Sequence, residues 1–249
     1  MNGRASLDYD LGVVVPVRRG SSRIHEKCLL PFAGQSSLIE WKLSQLVRVI
    51  DPARIWLSSE DEDFLALGKA FGVSLHRRAA HLAEGHEAPF RDVITGIVEA
   101  VPHDHVAWAT VVCPLMAPQD YAQAFAAYSG EVIAGGHDSL LGVNEARDYY
   151  WSDNGPLNYS ASRAHTISQD LPAWFRVTNS LYMAPRALML QREYFLGSRP
   201  LLHRLPKLAG IDIDTLEDYR IACALHALYR DEAAIEPESA HDRPAARAS

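Results

Sequence analysis

Apolar and polar positions fall into two alternating periods along the first 130 residues. The run "GVVVPV" (12–17) is continuously apolar and β-branched, which predicts a strand covered on both faces, as in the centre of a parallel sheet. "SLIEWKLSQLVRVI" (37–50) then takes helical spacing, with Leu38, Trp41, Leu43, Leu46 and Val49 on one broad face. The pair repeats. "ARIWLSS" (53–59) reads as a strand, "EDEDFLALGKAF" (60–71) as a helix with acids in its first turn, and "GVSLH" (72–76) as a third strand. "FRDVITGIVEAV" (90–101) is a helix, "VAWATVVC" (106–113) a fourth strand, and "PQDYAQAFAAYS" (118–129) a helix opened by Pro118. Strand and helix in strict alternation predict a three-layer α/β/α fold, a mainly parallel sheet covered on both faces.

Near residue 135 the rhythm breaks. A strand begins in "GGHDSLLGVNEARDYYWSDNGPLNY", and the chain then turns loop-rich and aromatic; 136–176 reads as an inserted arm. "NSLYMA" (179–184) is a strand, "PRALMLQREYF" (185–195) a helix, and "AGIDID" (209–214) a strand end before the helix "TLEDYRIACALHALY". The expected organisation is one domain over 11–230, with 231–249 a polar, Pro/Ala-rich tail expected to be disordered.

Charge narrows the function. The 249 residues carry 24 Lys and Arg against 31 Asp and Glu, a net charge of -7, which argues against nucleic acid or an anionic membrane as partner. Three scattered cysteines form no disulfide framework or zinc knuckle, and a reducing compartment is the natural reading. No apolar run is long enough to span a bilayer, and "MNGRASLDYD" has no apolar stretch suited to a signal peptide; a soluble, cytoplasmic protein is expected.

Against that acidic background, Arg18, Arg19, Arg23 and Lys27 crowd the loop that leaves the first strand. Ligands of open parallel sheets bind at such carboxyl ends. Gly20 permits close backbone approach, Ser21 and Ser22 add hydroxyls, and the cations supply countercharge, which together suit a polyphosphate. Neither the dinucleotide fingerprint nor the P-loop motif is present. The alternative is a solvated loop whose arginines pair with the acids of 60–63. At the other end of the domain, alternation along "GIDID" sends Ile211 and Ile213 to the core and projects Asp212 and Asp214 together. Two adjacent carboxylates suit Mg²⁺, which keeps few protein ligands beside water and phosphate oxygens. Equally, Asp214 or Thr215 could cap the last helix, with Glu217 closing a capping box. The aromatic run 149–151 suits a binding surface or an oligomer interface alike.

Taken in order, "VVPVRRGSSRIHEKCLLPF", "RRAAHLA", "ATVVCPL", "DNGPLNY", "SQDLPAWFRVTNSLYM" and "IDIDTLEDYRIA" resemble the acylneuraminate cytidylyltransferase family, which includes CMP-sialic, CMP-pseudaminic and CMP-legionaminic acid synthetases and is related to the CMP-Kdo synthetases. The resemblance covers about residues 11 to 228. It implies a nucleotide-diphospho-sugar transferase-like fold with a dimerisation arm after the fifth strand, hence a homodimer. It also implies a reaction: the anomeric hydroxyl of a 2-keto-3-deoxy sugar acid attacks the α-phosphorus of CTP, pyrophosphate leaves and a CMP-sugar forms. On that resemblance Arg18, Ser21 and Lys27 hold the triphosphate, with Gly20, Ser22 and Arg23 beside them, and Asp212 and Asp214 bind Mg²⁺. Tyr182, Tyr194 and Phe195 match sugar-pocket aromatics, and Thr110, Gln169 and Arg176 belong to the substrate side. Arg18, Lys27, Asp212 and Asp214 are the expected catalytic set.

This chain departs from the family at Cys28 (usually Asn), Thr110 (Gln), Ser168 (Arg) and the pair Thr178–Asn179 (Asn-Gly). These changes bear on the sugar and the base more than on phosphate and metal. Two rival readings remain: a sugar nucleotidyltransferase with another base or acceptor, and a non-catalytic nucleotide-binding homologue.

Overall fold

Val13 and Val15 point to one side of the first strand and Val14 to the other, and all three are fully buried. That is the signature of a strand between two helical layers, and each such valine contributes roughly 1.5–3 kcal/mol. The computed structural model describes residues 7–20, 23–83 and 88–232. In chain order the first half is β1 (Leu11–Pro16), α1 (Leu38–Leu46), β2 (Ile55–Ser59), α2 (Glu62–Ala70), β3 (Ser74–Arg77), α3 (Phe90–Val98), β4 (His105–Ala109) and α4 (Pro118–Tyr128). The second half adds β5 (Ser139–Ala146), a small ribbon of β6 (Trp151–Ser152) and β7 (Gly155–Pro156), then β8 (Trp174–Pro185), α5 (Arg186–Arg192), β9 (Pro200–Arg204) and α6 (Leu216–Glu232).

Seven strands form one sheet in the order β3-β2-β1-β4-β8-β5-β9. All neighbours are parallel except β8, which runs antiparallel to both β4 and β5. Helices α1, α2 and α4 cover one face through Ile39, Leu43, Phe64, Tyr121 and Phe125. Helices α3 and α5 cover the other through Ile94, Ile97, Val98 and Met189. The expected mainly parallel three-layer α/β/α fold is therefore the observed one. Local chemistry sets the helix starts: Ser37 accepts from Glu40 N, and Asp61 accepts from Asp63 N and Phe64 N.

The strand order places a switch point between β1 and β4, because β2 and β3 lie on one side of β1 and the rest of the sheet lies on the other. From the carboxyl ends of those two strands the chain leads towards opposite edges of the sheet, and open α/β sheets bind ligands at such a crevice.

Three element readings need correction. The fourth strand ends at Ala109, not Cys113. Beyond it, Val112 O accepts from Ile213 N and Cys113 O from Lys42 Nζ, so these backbone groups serve other segments rather than a ladder. The "AGIDID" segment is not a strand: Lys207–Gly210 forms a 3₁₀ turn, and the following residues are extended but unpaired in any sheet. Short β9, with its alternating exposure, passes unread in the sequence. Within the loop-rich stretch 136–176, Ser139–Ala146 is a strand of the main sheet, paired on both sides, and the part between β5 and β8 carries the β6–β7 ribbon. Helix α6 runs to Glu232, and residues 233–249, most of the expected tail, lie outside the described residues.

Candidate active site

The cleft at the switch point has a volume of about 240 Å³ and is lined by Pro16, Val17 and Cys28, by Arg18, Gly20, Arg23 and Lys27, and by Thr110 to Val112 after β4. A second depression of about 280 Å³ shares Pro16, Val17 and Arg18 and is closed by Arg78, Leu82, Phe90 and Val93. Arg18 borders both. Of the expected nucleotide-binding residues, Arg18, Gly20, Arg23 and Lys27 thus lie together, while Ser21 and Ser22 lie outside the described residues.

The cations of this loop divide into two kinds. Arg19 turns away from the cleft and pairs with Glu26, Asp61 and Asp63, so for this residue the solvated-loop alternative describes the structure. Arg18 makes no ion pair with a described residue. Lys27 donates to Ile213 O at 2.6 Å, and its Nζ lies 3.6 Å from Asp214 Oδ1. Arg23 meets the same carboxylate at 2.7 Å. The loop after β1 and the aspartate segment, about 190 residues apart in sequence, therefore meet beside the cleft.

That docking is built by close packing. Ile213 is fully buried and its N–H donates to Val112 O, while Arg176 donates to Asn144 Oδ1 and Gly210 O. A Cβ on Gly210 would collide with Asn144 Oδ1 of β5 and with the Thr178 side chain of β8, so only glycine lets the segment approach these strands this closely. Arg176 is accordingly a tie between strands and segment. The helix-capping question is settled too: Asp218, not Glu217, accepts from Thr215 N, and Thr215 Oγ1 accepts from Asp218 N. With the capping box made by Thr215 and Asp218, the Asp214 side chain is left to the cations.

Asp212 stands differently. Its Oδ2 accepts from Asn179 Nδ2 at 3.1 Å, while its Oδ1 is buried with no hydrogen-bond partner. Burial holds its carboxyl above the ordinary range, the charge of Asp214 adds to the rise, and the Asn179 hydrogen bond opposes it. A buried carboxylate oxygen without a donor, two residues from a second carboxylate, is chemistry that suits a hard divalent cation. Among the described residues no group of three or more His, Cys, Asp or Glu could hold a metal, so such an ion would need phosphate and water oxygens as well. No thiol of the site is a candidate nucleophile: burial pushes Cys113 up to about 12 and raises Cys28 as well.

The aromatic positions form one cluster, in which Tyr182 and Phe195 are buried and Tyr194 is exposed. Tyr182 and Phe195 stack with centroids 4.4 Å apart, Trp108 and Phe90 meet Phe195 edge-on, and Tyr194 packs on Phe195 at 5.1 Å. Thr110 lines the cleft and donates to Asn179 O at 2.7 Å. Gln169 is placed elsewhere, exposed on the segment between β5 and β8, where its carbonyl accepts from Arg147. Sequence reasoning passed over Arg78, buried behind Val17 O and Glu60, and the linking role of Asn179. The one available signal for Asn179 was its place at a position the related enzymes fill with glycine: it adopts φ +55°, which Asn tolerates better than most side chains.

Comparison with known proteins gives this geometry a context. Residues 13–130 match the family model described as cytidylyltransferase. Pseudaminic acid cytidylyltransferase of Campylobacter jejuni subsp. jejuni serotype O:2 is 23% identical over 233 residues, 88% of this chain and 97% of that protein. Among solved structures, CMP:2-keto-3-deoxy-manno-octonic acid synthetase complexed with CTP matches with TM-score 0.61 at 15% identity, over 88% of this chain and 99% of that one. A cytidylyltransferase from Leptospira borgpetersenii serovar Hardjo-bovis matches with TM-score 0.54 at 14% identity, over 93% and 99% of the two chains. Residues 13–130 are thus similar to cytidylyltransferases in sequence, and the fold as a whole is one that cytidylyltransferases share.

Proposed function

We propose that the protein transfers CMP from CTP to the anomeric hydroxyl of an acidic 2-keto-3-deoxy sugar, a nonulosonic acid, with release of pyrophosphate. The observation that carries this reading is the meeting of Arg23 and Lys27 with Asp214 beside the switch-point cleft that they line together with Arg18, with Asp212 two residues away and within the field of Lys27 and Arg23. A triphosphate needs cations, and a site that also presents two carboxylates needs a divalent cation between them and the phosphates.

In this reading Arg18 and Lys27 hold the triphosphate and stabilise the charge that builds on the departing pyrophosphate. Gly20, with Ser21 and Ser22, lets the backbone approach the phosphates. Asp212 and Asp214 hold Mg²⁺, which when bound neutralises phosphate charge and helps align the attacking and leaving oxygens. Arg23 and Lys27, which pair with Asp214 here, exchange it in part for phosphate oxygens when substrate arrives, which frees that carboxylate for the metal. Tyr182, Phe195 and Tyr194 offer an apolar wall to the sugar, and Thr110 a hydroxyl at the cleft. Arg176 acts at one remove by seating the aspartate segment. Gln169 would reach substrate only through movement of its segment or from a second subunit.

The exposed aromatics Tyr149, Trp151 and Trp174 on and beside the β6–β7 segment favour its use as a dimerisation arm. Among the described residues no helix is long and apolar enough to cross a membrane, and with CTP as donor a cytoplasmic site of action is the natural one. Pseudaminic acid, the acid in the relative's name, is the first acceptor to try. The test is pyrophosphate release from CTP and Mg²⁺ across pseudaminic, legionaminic, sialic and Kdo-type acids. Release that depends on one acid supports the proposal. No release with any of them, or release that prefers another nucleotide, rejects it.

A further inference from the structure

Tyr182 and Asp212 lie on different segments, and one amide joins them. Asn179 Oδ1 accepts from the Tyr182 hydroxyl at 2.7 Å, and Asn179 Nδ2 donates to Asp212 Oδ2 at 3.1 Å. The arrangement has one sense only. An ionised carboxylate is purely an acceptor, so the amide must turn its N–H₂ to Asp212 and its oxygen to the phenol. Tyr182 in turn is held by its stack on Phe195, which fixes the far end of the relay.

The backbone is shaped for this contact. Along β8 the register slips: Leu141 pairs with Tyr182 but Val143 with Val177, so four residues of β8 face the single Gly142 of β5. Asn179 sits in that bulge with φ +55°, and its carbonyl is tied down by Thr110 Oγ1 at 2.7 Å. A non-glycine residue in this region signals a constraint that the surroundings enforce, and such residues cluster at functional sites. Glycine would suit the backbone better and carry no amide. Aspartate would set carboxylate against carboxylate.

Engaging Oδ2 fixes the plane of the Asp212 carboxylate and leaves Oδ1 buried without a partner. We infer that Asn179 is a positioning residue: through the Tyr182–Asn179–Asp212 relay it orients Asp212 so that its free oxygen is presented to the metal–nucleotide complex. The inference rests on the reading of Asp212 as a metal ligand given above. Outer groups of this kind, which hold a ligand's second atom, typically change metal affinity or activity about 10- to 100-fold when removed.

Melting curves at saturating CTP, recorded across a Mg²⁺ titration for wild type, Asn179→Gly, Asn179→Ala and Asp212→Asn, test it without reference to turnover. The Mg²⁺ concentration that half-saturates the CTP-dependent shift should rise about 10- to 100-fold in both Asn179 variants. Without nucleotide, the glycine variant should melt no lower than wild type and the alanine variant lower, because this φ strains alanine more than asparagine and does not strain glycine. Amide and backbone strain are thereby separated. A wild-type Mg²⁺ midpoint in Asn179→Gly, with the midpoint lost in Asp212→Asn, overturns the positioning role alone. A shift in wild type that ignores Mg²⁺, or a midpoint unchanged in Asp212→Asn, overturns the metal reading and this inference with it.

Discussion

Lys27 Nζ lies 2.6 Å from the carbonyl oxygen of Ile213 and 3.6 Å from Oδ1 of Asp214. One ammonium thus bridges the loop after β1 to the segment before α6, with little of its side chain exposed. A charge placed this way seats the aspartate segment, and in the proposed function it also serves the phosphates of CTP. Lys27→Ala should fold, and its rate of pyrophosphate release should fall about 100- to 1000-fold, the cost of one preorganised donor. Near-normal turnover in that variant would reject the proposed site.

Arg18 and Arg19 are neighbours with opposite tasks. Arg19 is engaged with Glu26, Asp61 and Asp63, whereas Arg18 faces the cleft without an ion pair among the described residues. Arg18→Ala should lower kcat/KM for CTP about 10- to 100-fold, equivalent to one charge-assisted hydrogen bond. Arg19→Ala should lower the melting temperature and leave kcat/KM near wild type. Steady-state kinetics beside a thermal melt checks the pair, and a reversed pattern would show that the two residues have been assigned the wrong way round.

Asp214 and Thr215 offer the same contrast across one peptide bond. Thr215 makes the capping box with Asp218, so Thr215→Ala should cost about 1 kcal/mol of stability with turnover retained. Asp214→Asn should leave the cap intact and reduce turnover by at least the 10- to 100-fold typical of a lost outer-shell partner. Chemical denaturation and the pyrophosphate assay together read both arms.

Lys42 carries a pH signature. It is fully buried, donates to Cys113 O and the Tyr121 hydroxyl, and burial lowers its pKa to about 8 from an ordinary 10.5. The folded protein therefore gives up this proton more readily than the unfolded chain. Between about pH 8 and 10.5 the unfolded state holds more protons at this site, and stability gains with rising pH there. Below that window the full cost of burying the charge is present. The melting temperature of wild type relative to Lys42→Met should rise across this window. A flat difference would mean that the ammonium is not desolvated as the packing indicates.

Much of this molecule could be read along the chain. The continuous valines of β1, the helical face of α1 and the acids that open α2 are local signals, because a burial period or a helix-end charge acts within a few residues. The cation cluster after β1 and the alternating aspartates were legible for the same reason, each being a short stretch with its own chemistry. What a neighbouring strand contributes is not local. That β8 runs antiparallel between β4 and β5, that β9 exists as an edge, and that "VVC" after Ala109 leaves the sheet all depend on which distant backbone accepts each hydrogen bond.

The site divides along the same line. Sequence alone determined which residue types are available: four cations in one loop, two carboxylates in one pentapeptide, and aromatics at Tyr182, Tyr194 and Phe195. Only the tertiary structure decided their use. It turned Arg19 to Asp61 and left Arg18 in the cleft, gave the cap to Asp218 and so released Asp214, and set Gln169 apart on an exposed segment. It also turned Asn179 from a departure in a motif into the link between Tyr182 and Asp212. Charges and hydrogen bonds are satisfied by whichever partner packing brings within about 3 Å. That choice belongs to the fold, since no spacing within a single segment encodes it.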